Sequence, residues 1–167
     1  MCCTLVSSAE RAVSKLTPPA PSPRVGSYAQ HTRDYRGEVN IPLWVKLGPN
    51  LSAGQYRALM AVFAETGVRA VVATNTLPMP SPADAAVTAG VGGGRLHPHA
   101  LKTAATLVQE KNVHAYPVDV IGCGGVLDGP TFQAFTGAGV AVVQYWSALV
   151  YRGPLAAALI AHEANNR

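Results

Sequence analysis

The sequence predicts an α/β chain of about four βα units, the count expected of half an eight-stranded parallel barrel of the TIM (β/α)8-barrel family. Two observations lead there. From residue 41 onward, short apolar runs alternate with segments of helical spacing, the signature of a parallel sheet with crossover helices. The predicted order is β-α-β-α-β-α-β-α. Glycine-rich loops follow the third and fourth strands, where barrels commonly hold a phosphate. A flavodoxin-like open sheet is the alternative, but it would carry helices on both sheet faces and its phosphate loop after the first strand.

Residues 1–40 show one short helical candidate at 8–16 and then TPPAPSPRVG, which reads as a loosely packed linker. Residues 41–167 form the predicted half-barrel. The strand PLWVKL leads into a helix over 52–66, with Ser52 as N-cap, Tyr56, Leu59, Met60 and Phe63 at helical spacing, and Gly67 as the stop. RAVVATN is the second strand and a helix over 98–110 follows it. YPVDVIG and a helix over 129–138 make the third unit. VAVVQY and a helix over 154–164 make the fourth, and three of the four helices have Pro at or near the first turn. Right-handed crossovers would place all of them on one side of a curling sheet.

With 167 residues, 49% of them hydrophobic, the chain has enough apolar material for one core. No apolar stretch reaches the roughly 18 residues of a membrane-spanning helix. The opening MCCTLVSSAERAVSKL lacks a secretory pattern, so the expected address is cytoplasmic, with peripheral membrane association left open. Cys2, Cys3 and Cys123 form neither a disulfide framework nor a zinc pattern. The net charge of +4 comes from scattered basic residues without interleaved aromatics, which argues against a nucleic-acid surface.

Sites in barrels are built just past the strands, and those positions are polar or glycine-rich here. Lys46 stands near the end of the first strand. Either it reaches solvent or it turns inward beside an anionic ligand, because an unpaired buried charge is costly. Thr74, Asn75 and Thr76 end the second strand, as a polar turn or as donors and acceptors for a planar ligand. Gly124 and Gly125 permit close backbone approach after the third strand. Ser147 opens a short segment that Arg152-Gly153-Pro154 closes. His97 and His99 lack a third ligand at a recognisable spacing, so no metal is expected, and Cys123 reads as packing.

The stretches LWVKLGPNL, AVVATNT, AGVGGGRLHPHAL and VIGCGGVLDGPTFQAFTGAGVAVVQYWSALVYRGP resemble, in order and spacing, the motifs of dihydroorotate dehydrogenases over residues 42–162. The resemblance implies FMN as cofactor, dihydroorotate and orotate as substrate and product, and a role in pyrimidine biosynthesis. It places Lys46 beside the flavin ring and Thr74 in contact with FMN. It further implies that Asn75 and Thr76 hydrogen-bond the substrate ring, and that Gly94, Gly125, Trp146 and Ser147 bind FMN, the last three around its phosphate. The implied chemistry is proton removal from C5 of dihydroorotate with hydride transfer from C6 to the flavin.

Three departures stand beside this likeness. The loop that carries the family's Ser or Cys base has no counterpart before Lys46, so no catalytic base is named and the chain is expected to be a fragment or one half of a split enzyme. The usual GGLSG is GVGGG, and Trp146 stands where Tyr or a smaller residue is usual. Such a chain would self-associate or take a complementary half-barrel. A non-catalytic half-barrel that retains a phosphate site is the rival function. HPHAL resembles the cytosolic class, while the electron acceptor stays open.

Overall fold

The computed structural model describes residues 42–166; the expected linker over 1–40, its helix at 8–16 and the boundary at residue 41 lie outside the described residues. Strands β1 (Trp44–Leu47), β2 (Ala70–Ala73), β5 (Asp119–Cys123) and β6 (Val142–Gln144) form one sheet in that order, every neighbouring pair parallel. Between β2 and the next helix lies an antiparallel hairpin, β3 (Leu77–Pro80) and β4 (Thr88–Val91). The helices are α1 (Ala53–Thr66), α2 (His97–His114), α3 (Gly129–Gly137), α4 (Ser147–Arg152) and α5 (Ala156–Asn165), and a 3₁₀ turn over Gly93–Arg95 precedes α2.

Local chemistry explains the boundaries. The α1 start is a capping box in which the Gln55 N–H donates to Ser52 Oγ and the Ser52 N–H donates to Gln55 Oε1, satisfying two otherwise orphan donors. Gly67 ends the helix in the left-handed conformation (φ 71°) with its N–H on Phe63 O. Asp128 caps α3 by accepting the Thr131 N–H at 2.9 Å, and that bond is the main reason its carboxyl lies below the usual carboxylate value.

The alternation of the strands divides the sheet into two faces. On one face Leu47, Val71, Ala73, Val118 and Val120 join Tyr56, Met60, Phe63, Leu107 and Phe135 of the helices in a single core. Burying side chains as completely as Met60, Leu107 and Phe135, all at 0% exposure, contributes roughly 1.5–3 kcal/mol each. On the other face Ala70, Val72, Ile121 and Cys123 make a small separate cluster without helical cover among the described residues. One-sided cover is the barrel arrangement, and it disfavours the flavodoxin-like alternative. Two features exceed the expected four units: the β3–β4 hairpin, and α4 as a helix separate from α5.

Candidate functional site

Because the four sheet strands are parallel, their C-terminal ends lie along one rim, and all eight candidate residues sit on or just beyond it. Lys46 is the third residue of β1, opposite Val72 of β2. It belongs to the helix-free face, and its Nζ donates to Cys123 Sγ across β2 at 3.5 Å. The lysine therefore turns along the sheet, and Cys123, expected only to pack, is its partner.

Thr74 is buried, with 1% exposure, and its hydroxyl donates to Asn75 O at 2.9 Å. The Asn75 N–H donates to Leu47 O at 2.7 Å, which ties the chain after β2 back to the end of β1. Thr76 is exposed, and its side chain lies where a Cβ on Gly90 would fall. The β3–β4 hairpin thus returns against the residue that launches it. Glycine at position 90 makes this close return possible.

The loop after β5 meets the 3₁₀ turn and the start of α4. Gly125 has φ 70°, and a Cβ there would lie 2.5 Å from Gly93 O and 2.7 Å from His97 Cβ. Gly93 has φ 67°, and its own Cβ position is 3.4 Å from Ser147 Oγ. Three loops following three different strands consequently converge at Gly125, Gly93 and Ser147, packed so closely that a side chain on the buried Gly125 would not fit. Gly94 stands one residue further on, its Cβ position 3.7 Å from Leu127 Cδ1. Gly93 was not singled out from the sequence; the run Gly92-Gly93-Gly94 signals that positive φ is available without saying which residue takes it. Trp146 is 74% exposed, so its ring points largely to solvent.

α4 has only six residues and no side-chain cap. Any anion site at this point therefore rests on backbone N–H groups and the Ser147 hydroxyl, not on a helix dipole. His97 places Nδ1 3.3 Å from Gly124 O and meets Phe135 edge-on at 5.4 Å, which makes it a structural residue. Among the described residues no three His, Cys, Asp or Glu side chains gather to hold a metal. A cavity of about 580 Å³ lined by Trp44, Arg69, Lys111, Asp119 and Val142 lies at the strand starts, the end away from this rim.

The family model described as "Dihydroorotate dehydrogenase" matches residues 6–167, beginning upstream of the motifs quoted above. The dihydroorotate dehydrogenase (quinone) of Thiobacillus denitrificans is 33% identical over 118 residues, 68% of this chain and 34% of that protein. That of Polynucleobacter necessarius subsp. necessarius is 32% identical over 132 residues, 78% of this chain and 38% of that protein. A crystal structure of DHODH from Eimeria tenella in complex with ferulenol matches with a TM-score of 0.65 at 26% identity, covering 75% of this chain and 34% of that one. The chain thus spans about a third of the length of the curated relatives it matches. These relatives are quinone enzymes, which bears against the expected likeness of HPHAL to the cytosolic class. No described helix is long and apolar enough to cross a membrane.

Proposed function

The chain belongs to the dihydroorotate dehydrogenase family, and from that premise we propose that it holds FMN along the rim of its parallel sheet and serves the oxidation of dihydroorotate to orotate. The observation that carries the reading is the convergence of Gly125, Gly93 and Ser147 beyond the strand ends, on the rim that also carries Lys46. This close meeting of three loop backbones is the cradle we assign to the phosphate, which backbone N–H groups and one hydroxyl would hold. Gly125, Ser147, the Trp146 backbone and the Gly93-Gly94 turn hold the phosphate end. Thr74 and Lys46 are the residues that would lie toward the ring.

When bound, FMN supplies the two-electron acceptor for the reaction. The protein's own residues bind and orient. The Lys46 ammonium, held over the sheet by Cys123, would supply positive charge to a flavin bound on this face, and such preorganised charge acts strongly away from bulk water. Asn75 and Thr76 offer amide and hydroxyl groups to the carbonyl and N–H edge of the pyrimidine ring. The outer strands β1 and β6 carry unpaired edges in the described sheet, which further parallel strands of a closed barrel, or a second copy, would take up.

Anaerobic titration of the purified chain with FMN, followed by addition of dihydroorotate, tests the reading. Flavin uptake without useful bleaching by the chain alone, and bleaching once the first half-barrel of a related enzyme is supplied, is the expected result, because no base is named in this chain. Lys46→Met should slow that bleaching more than it weakens uptake. Uptake without bleaching even in the presence of that half-barrel would favour a non-catalytic flavin-binding half-barrel, and rapid bleaching by the chain alone would show that a base lies within it. No uptake would refute the site.

A further inference from the structure

The walls of the phosphate cradle come from different βα units, and something must fix the distance between them. The Gly124-Gly125 loop runs on through Val126 and Leu127 into α3, whereas Ser147 opens α4. Arg152 closes α4, and its Nη1 donates to Leu127 O at 2.9 Å and to Glu163 Oε2 at 3.1 Å, while Nη2 bonds Glu163 Oε1. The same Glu163 Oε2 accepts the Gly129 N–H, the first of α3, at 2.9 Å. A Cβ on Gly129 would fall 2.7 Å from Glu163 Cβ and 2.6 Å from Ala164 N, so only glycine lets α3 begin so close to α5.

We propose that Arg152 and Glu163 are positioning residues that clamp the glycine loop to α4 and so set the width of the phosphate cradle. The proposal rests on the FMN reading above. A forked guanidinium on a carboxylate fixes direction as well as distance, which a lysine ammonium does not. The pair is partly exposed, with side chains at 25% and 35%, and exposed ion pairs add little to stability. Its value is therefore geometric. The Arg152 hydrogen bond first, and then the Gly129 N–H, hold the Glu163 carboxyl down at about 2, so the clamp stays ionised throughout the neutral range.

FMN and riboflavin differ only in the phosphate, which makes their affinity ratio a readout that general destabilisation does not move. Fluorescence titration of the full chain gives both dissociation constants for the wild type, Glu163→Gln, Arg152→Lys and the exposed control Glu65→Gln. Thermal melting checks that each variant is folded. Loosening the clamp should weaken FMN about tenfold, the worth of one hydrogen bond to a charged group, and leave riboflavin within about twofold. Glu65→Gln should change neither. An unchanged FMN-to-riboflavin ratio in folded Glu163→Gln and Arg152→Lys would overturn the clamp. Failure of both variants to fold would also overturn it, by making the pair a stability element. A wild-type chain that does not prefer FMN over riboflavin would instead remove the phosphate reading on which the clamp depends.

Discussion

Gly125→Ala isolates the cradle with a single added carbon. The new Cβ would lie 2.5 Å from Gly93 O and 2.7 Å from His97 Cβ, on a backbone already at φ 70°. Holding a non-glycine residue in the left-handed region costs roughly 1–2 kcal/mol. The carbonyl it meets is backbone and cannot swing aside, so the loop must shift, which costs a further ~1–3 kcal/mol. The total, about 2–5 kcal/mol, lowers the melting temperature by roughly 5–20 °C for a chain of this size. Gly54→Ala is the control, because nothing lies within 4 Å of its Cβ position in the first turn of α1, and the exchange should stabilise by about 0.5–1 kcal/mol. Urea and thermal unfolding followed by circular dichroism measure both variants. FMN titration is then made at a temperature where Gly125→Ala is folded, and affinity should fall at least about tenfold, the loss of one charged hydrogen bond. A Gly125→Ala chain that matched the wild type in stability and FMN affinity would show that the loops do not meet as described.

Two further outcomes follow from local chemistry. Glu163 has its carboxyl lowered from 4.5 to about 2 in the folded chain, so its contribution is fully present above about pH 4.5 and is lost as pH falls toward 2. The difference in melting temperature between the wild type and Glu163→Gln, small because the pair is partly exposed, should therefore narrow across that window, and a difference that instead widened toward pH 2 would contradict the ion pair. Ser52→Ala removes one side of the α1 capping box and should cost about 1 kcal/mol without changing FMN affinity, measured by urea unfolding and flavin titration.

The helices were legible because their signals are local. Ser52, the spacing of Tyr56, Leu59, Met60 and Phe63, and Gly67 together mark α1, and the structure places it at Ala53–Thr66 with those four residues buried. The β3–β4 hairpin was not legible. Its first strand is LPMP, and Pro78 and Pro80 remove two backbone donors, a pattern that reads as loop because proline is tolerated only in edge strands and bulges. Nor does apolar alternation announce its return strand, TAGV. The turn at Gly153, with φ 74°, divides α4 from α5 where the sequence predicted only a short closed segment before the last helix.

Site residues at strand ends were legible in the same way, since a parallel sheet sends all its C-terminal loops to one rim. Roles that depend on a neighbour from another strand were not. Cys123 looks like packing until the sheet brings Lys46 Nζ to its sulfur across β2. The run Gly122-Cys123-Gly124-Gly125 makes the point sharply, because its three glycines serve different neighbours. A Cβ on Gly122 would strike the Phe135 ring at 2.6 Å, and one on Gly124 would strike Ala100 at 2.7 Å, both within the core that joins sheet to helices. Only the Cβ position of Gly125 points at the Gly93 carbonyl and thence toward Ser147. Two of these glycines close the packing beneath the site and the third lets the loops of the site itself meet. Substitution at Gly122 should therefore act through stability alone, whereas substitution at Gly125 acts on stability and on the phosphate together, a separation that composition and spacing do not contain and that contact geometry supplies.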